Sequence, residues 1–159
     1  MNFNIRKAEK TDMPQVLALI NQLAVFEKEP DAVEITVADL EHDGFGNNPL
    51  FFCFVAEANS KIEGIALCFF RYSTWKGKAI HLEDLIVNKA MRGHGLGTLL
   101  LNEVIKYGHG LGVRRISWEV LDWNTPAIDF YQKKGANIMD EWRIVHLNQQ
   151  GIANYIANL

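Results

Sequence analysis

Glu83 and Asp84 stand side by side in the run "IHLEDLIV". Shortly after them comes "MRGHGLGTLL", where Arg92 precedes glycines at 93, 95 and 97. A positioned carboxylate can take a proton from a nucleophile. A glycine-rich turn at a helix start can hold an anion, because the first helical amides lack internal partners and the dipole puts about half a positive charge there. Glycines let a ligand approach those amides closely. The pentapeptide "GHGLG" recurs at Gly108–Gly112. The first copy opens a helix and the second closes the same helix, where the orphan groups are carbonyls and the dipole end is negative. Only the first copy is an anion candidate. In the second, Gly108 and Gly110 read as weak points costing about 1 kcal/mol each against alanine, and Gly112 as the C′ stop. The spacing of the first copy is neither the P-loop, which ends in Gly-Lys-Ser/Thr, nor the dinucleotide G-x-G-x-x-G.

The elements that must position these residues follow from periodicity. "FNIRKA" alternates as a first strand. Thr11 is the expected cap of a helix with Pro14 in its first turn and Val16, Leu19, Ile20 and Leu23 on one face. Thr36 with Asp39 resembles a capping box for a short second helix. Three strand-like runs follow at Leu50–Ala58, Ile62–Tyr72 and Lys78–Val87, joined by "NSK" and "STWKG". Turns this short make the strands antiparallel neighbours. "TLLLNEVIKY" is an apolar helix, "RRISWEVL" a strand, and "NTPAIDFYQKK" a helix capped by Asn124 and ended by Gly135. "WRIVHL" reads as a last strand before a short C-terminal helix. The expected fold is α/β in the mixed α+β sense. Glu83 and Asp84, adjacent on a strand, are expected to point to opposite faces.

The chain has 159 residues, 48% hydrophobic and 22% charged, which fits one globular domain over 1–159. A formal net charge of −3 gives nucleic acid nothing to hold and suits a cationic small substrate. No apolar run is long enough to span a bilayer, which takes about 20 residues. "MNFNIRKAEK" has no apolar signal core, so a cytoplasmic protein with no membrane partner is expected. Cys53 and Cys68 sit inside the apolar runs "FFCFVA" and "IALCFF". They read as small buried hydrophobes, and no metal site is expected.

"RGHGLG", Arg92–Gly97, resembles the R/Q-x-x-G-x-G/A motif of the GNAT N-acetyltransferases, and the element order looks like that family's. Together with "GFG", "YSTWKGK", "HLEDLIV", "VLDWN" and "FYQKKGA", it resembles the diamine acetyltransferases, most closely the thialysine Nε-acetyltransferase branch. The resemblance covers nearly the whole chain. It implies a central mixed sheet of about six or seven strands flanked by helices. It implies direct acetyl transfer from acetyl-CoA to a primary amine of a small diamine, polyamine or lysine-like substrate. The alternatives are a protein or peptide amine as acceptor, or a catalytically silent acetyl-CoA-binding module. By the same resemblance, Glu83 contacts the substrate and relays its proton, and Tyr131 is the general acid near the CoA sulfur. Leu85, Ile86 and Val87 pair by backbone with the pantetheine arm. Arg92, Gly93, His94, Gly95, Leu96, Gly97 and Thr98 hold the pyrophosphate. Asn124, Pro126, Ala127 and Tyr131 complete the acetyl-CoA contacts. Phe26, Glu27, Glu83, Trp118, Glu119 and Glu141 stand on the substrate side. The polyamine branch has Asp-Pro where this chain has Ser73 and Thr74, which favours a short, lysine-like amine. The family forms homodimers, and a homodimer is expected here.

Overall fold

A computed structural model describes residues 3–159. Two compact units divide the chain, Met1–Glu119 and Val120–Leu159. In the first, β1 (Asn4–Lys7) leads through a 3₁₀ turn (Lys10–Asp12) into α1 (Met13–Phe26) and α2 (Val37–Phe45). Then come β2 (Phe52–Ala58), β3 (Lys61–Ser73), β4 (Gly77–Val87), a 3₁₀ turn (Lys89–Met91), α3 (Leu96–Gly110) and β5 (Ile116–Ser117). The second unit holds α4 (Thr125–Lys133) and α5 (Gln149–Ala157).

The sheet runs in the order β1-β2-β3-β4-β5. The first three pairings are antiparallel, and β4–β5, bridged by α3, is parallel. Asn59 and Ser60 both have positive φ, 52° and 61°, the turn geometry whose twist matches a tight antiparallel hairpin. The middle of β3, Ile62–Cys68, is buried throughout, as a strand covered on both faces must be. Ile65 and Leu67 join Val16, Leu19 and Ile20 of α1 in one core cluster. A Cβ on Gly64 would meet Leu100 of α3, so the other face of β3 belongs to α3.

Three local expectations change. Thr11 does not cap α1. The 3₁₀ turn intervenes, and Asp12 accepts from the Glu9 amide at 2.7 Å and from both terminal nitrogens of Arg6 at 2.7 and 3.0 Å. The Arg6 hydrogen bonds, more than any other influence, hold the Asp12 carboxyl below its ordinary pKa. Gly108 is not only a weak point. A Cβ there would lie 2.8 Å from Ile116 and 3.3 Å from Ile80, so the missing side chain lets α3 approach β4 and β5.

The third change is the sheet itself, which has five strands among the described residues rather than six or seven. The strand expected over Arg114–Leu121 shrinks to Ile116–Ser117, and Trp142–Leu147 forms none. Alternation decides which side chains face which way. A strand also needs a partner for its amides and carbonyls, and alternation is silent about that. Thr36 and Asp39 do form the capping box of α2. Asn124 caps α4, and Gly112 and Gly135 have positive φ at their helix ends.

Candidate active site

Strand β4 breaks register at the adjacent carboxylates. Leu82 pairs with Cys68 and Asp84 with Leu67, so Glu83 is an extra residue with no partner across the ladder. Such a bulge bends the strand and re-aims the inserted side chain. The consequence overturns strict alternation: Glu83 and Asp84 line one cavity of about 250 Å³. Its other polar walls are Asp39 and Asp43, one turn apart on α2, and Ile20, Ile35, Leu40, Phe51 and Leu67 supply the apolar ones. Sequence reading missed the α2 residues. Their spacing, which puts Asp39 and Asp43 on one helix face, was the available signal.

Half-buried Asp84 has its pKa pushed up to about 6, first by burial and then by the charges of Glu83 and Glu27. Burial also raises Glu27, which caps the end of α1. The fold thus brings Glu27 and Glu83 within electrostatic reach of Asp84, where a cation would relieve the repulsion.

The sign of the stability effect follows from linkage. A carboxyl whose folded pKa lies above its unfolded value of 3.8 stabilises the fold when protonated. That contribution is complete below about pH 4, falls as pH rises toward 6, and stays lost above it. Asp84→Asn therefore raises unfolding stability by on the order of 2 to 3 kcal/mol at pH 8. The gain shrinks toward zero near pH 4. Urea melts at both pH values check this, and an unchanged or lower stability at pH 8 contradicts it.

Past the bulge, Leu85, Ile86 and Val87 pair with β3 on one side. On the other, the ladder to β5 covers only Ile80 and His81. Residues 82–87 thus run beyond the end of β5, leaving a strand edge suited to an amide-bearing chain.

The turn after β4 is anchored by buried Glu63. Its backbone carbonyl accepts from the Asn88 amide at 2.8 Å and its carboxylate from Asn88 Nδ2 at 2.7 Å. Arg92 is extended, donates from Nε to the Val87 carbonyl at 3.2 Å, and sits over the Phe26 ring at 5.2 Å. Gly93 and Gly95 have φ of +82° and +79°, and a Cβ at either would meet nothing within 4 Å. Both glycines serve backbone conformation, and the space in front of them is open. Helix α3 starts without a side-chain cap, so its first amides face that space. This cradle, with Arg92 beside it, fits an anionic diphosphate.

The last residues of the first unit include Trp118 and Glu119, which follow β5 directly. In the second unit, Asn124 Oδ1 accepts from the Ala127 amide at 3.4 Å, and Pro126 lies in the first turn of α4. Tyr131 is 8% exposed on α4. Burial raises its pKa, so the phenol keeps its proton at neutral pH. Glu141 lies exposed between α4 and α5.

Residues 14–136 match the acetyltransferase (GNAT) family model. The chain belongs to this family. It is an acetyl-CoA-dependent N-acetyltransferase. The acetyltransferase is 39% identical over 145 residues to thialysine N-epsilon-acetyltransferase of Bos taurus, covering 86% of this chain and 85% of that protein. It is 36% identical over 158 residues to spermidine/spermine N(1)-acetyltransferase-like protein 1 of Homo sapiens, covering 93% of this chain but only 23% of the human protein's length. Among solved structures, an integron cassette protein of V. cholerae superposes with a TM-score of 0.81 at 21% identity, covering 100% of this chain and 99% of that one. An aminoglycoside N-acetyltransferase in complex with CoA gives a TM-score of 0.72 at 21% identity, covering 93% and 95%. These two establish the fold of the acetyltransferase. In its described residues no helix is long and apolar enough to cross a membrane.

Proposed function

We propose that this acetyltransferase acts on the primary amine of a small diamine or lysine-like acceptor, with a thialysine-type amine preferred. The observation that carries the reading is the β4 bulge, which turns Glu83 into the carboxylate-walled cavity shared with Asp84. Aliphatic walls suit a short methylene chain, and acidic ones suit its ammonium ends. The names of the relatives from Bos taurus and Homo sapiens support the same substrate class.

Acetyl-CoA supplies the activated acetyl group. Every other contribution is the chain's own. The amides of Gly93–Thr98 and the Arg92 guanidinium bind the diphosphate. The free edge of Leu85–Val87 holds the pantetheine arm by backbone pairing, and Asn124, Pro126 and Ala127 add contacts from α4. Phe26, Glu27, Trp118, Glu119 and Glu141 serve the acceptor. An aliphatic amine of pKa about 10.4 arrives protonated at pH 7. Glu83 removes that proton, directly or through water, and Tyr131 supplies one to the departing sulfur.

The acceptor is tested by comparing kcat/KM for thialysine, lysine, putrescine and spermidine. Thialysine or lysine leads if the reading holds, and a clear spermidine preference overturns it. Acetylation of peptides but of no free amine would move the acceptor to protein. The diphosphate site is tested by Arg92→Ala. Loss of one charge-assisted contact, worth about 1.5 to 3 kcal/mol, raises KM for acetyl-CoA about 10- to 100-fold and lowers kcat much less. An unchanged KM removes Arg92 from the site.

The reading includes a cytoplasmic homodimer, with the chain working as one acetyltransferase domain over 1–159. Exposed apolar residues in the second unit support a partner surface: Trp142 is 68% exposed and Val145 88%. A monomer mass by light scattering at micromolar concentration would remove the dimer.

A further inference from the structure

His81 lies on β4 just before the bulge, in the last pair of the ladder to β5, opposite Ser117. It is 6% exposed, with its ring 5.0 Å from that of Phe69. An imidazole taken out of water needs hydrogen-bonding partners. Its Nε2 lies 3.5 Å from Glu83 Oε2, and its Nδ1 lies 3.3 Å from Ser117 Oγ.

We propose that His81 is a positioning residue for Glu83: its Nε2–H holds the carboxylate while the Ser117 hydroxyl fixes the ring through Nδ1. This rests on the reading that Glu83 takes the acceptor's proton. The chemistry of the partners selects the tautomer. An ionised carboxylate only accepts, so the nitrogen facing it must carry hydrogen. In the neutral ring the other nitrogen is then a lone pair, and a serine hydroxyl can turn to donate to it. The opposite tautomer would set a lone pair against the carboxylate.

The two ends of the contact differ in freedom, and this gives it a purpose. The Glu83 side chain is 55% exposed, against 7% for His81. As the inserted residue of a bulge, Glu83 has no cross-strand neighbour to hold it. The neighbouring carboxylate of Asp84, with which it interacts electrostatically, pushes it away. A buried ring tied to β5 is the fixed point against which the carboxylate can be set. The 3.5 Å separation is longer than a formed hydrogen bond, and catalytic contacts of this kind commonly tighten once substrate is bound. Misplacing a catalytic group by about 1 Å can cost on the order of 10²-fold in rate.

The test is a mutant cycle on the full chain, with kcat, both KM values and Tm measured. His81→Phe fills the space without either nitrogen, and His81→Gln keeps an amide nitrogen close to the Nε2 position. Each is made in the wild-type and Glu83→Gln backgrounds, alongside Ser117→Ala. In wild type, His81→Phe lowers kcat about 10- to 100-fold and leaves KM for acetyl-CoA within about twofold. His81→Gln recovers most of that loss. In the Glu83→Gln background neither change slows the enzyme further, because His81 acts only through the carboxylate. A core-filling histidine would instead lower Tm and slow both backgrounds alike, which would overturn the proposal. So would a normal kcat for His81→Phe beside a slow Glu83→Gln. If Glu83→Gln itself turns over normally, the underlying role of Glu83 fails and the proposal falls with it. Should His81→Phe not fold, Ser117→Ala carries the same cycle. It is then expected to lower kcat a fewfold in wild type and not at all in Glu83→Gln, and an equal effect in both overturns the proposal.

Discussion

Glu83→Gln lowers kcat for amine acetylation about 10²- to 10⁴-fold at pH 7, the range that a positioned general base contributes. The substitution keeps the shape of the side chain, and its 55% exposure means that folding is little affected. The diagnostic feature is the dependence on pH. An amine of pKa about 10.4 is roughly one part in 2,500 neutral at pH 7 and about one part in 25 at pH 9. A variant without the base must wait for that neutral fraction, so its deficit shrinks by up to about 100-fold between the two pH values. Parallel kcat/KM profiles for both proteins measure this. Equal slowing at pH 7 and pH 9 would leave Glu83 with an electrostatic role and no part in moving the proton.

Tyr131→Phe also lowers kcat by about 10²- to 10⁴-fold, while KM for acetyl-CoA stays within a fewfold. The phenol is 8% exposed, and burial holds its pKa above the ordinary value. It therefore stays a donor throughout the neutral range. The deficit depends on the leaving group. A thioester of an acidic aryl thiol departs without help, so the variant should approach wild-type rates with it. A deficit that is the same for acetyl-CoA and for such a donor would place the importance of Tyr131 in packing on α4.

Both experiments concern residues that sequence alone had marked, Glu83 in "HLEDLIV" and Tyr131 in "DFYQKKG". Their catalytic roles came from the resemblance to the acetyltransferase family, and the elements that carry them were legible because those are local. A strand, a glycine-rich turn, a helix start and a capped helix are short-range objects, set by periodicity, by φ and by which end of a helix a glycine occupies. The two "GHGLG" copies fall at opposite ends of α3 as expected for that reason: Gly95 opens α3 with φ of +79°, and Gly112 follows its end with φ of +67°.

What needed the tertiary structure was every feature that depends on a partner elsewhere in the chain. The bulge at Glu83 is a count of residues on β4 against residues on β3, and no window of β4 contains that count. It turned two carboxylates expected on opposite faces into two walls of one cavity, where burial first, and then the charges of Glu83 and Glu27, push the Asp84 pKa up to about 6. The pairing of His81 with Ser117 depends on the β4–β5 register. The absence of a strand over Trp142–Leu147 has the same root. The sequence by itself determined the helices and the glycine-rich turn before α3, because periodicity and short-range geometry carry them, and its motifs in order along the chain carried the family resemblance. Only the tertiary structure decided which carboxylates share a cavity and which strand edge stays open, because backbone hydrogen bonds and electrostatic repulsion act between segments far apart in the chain.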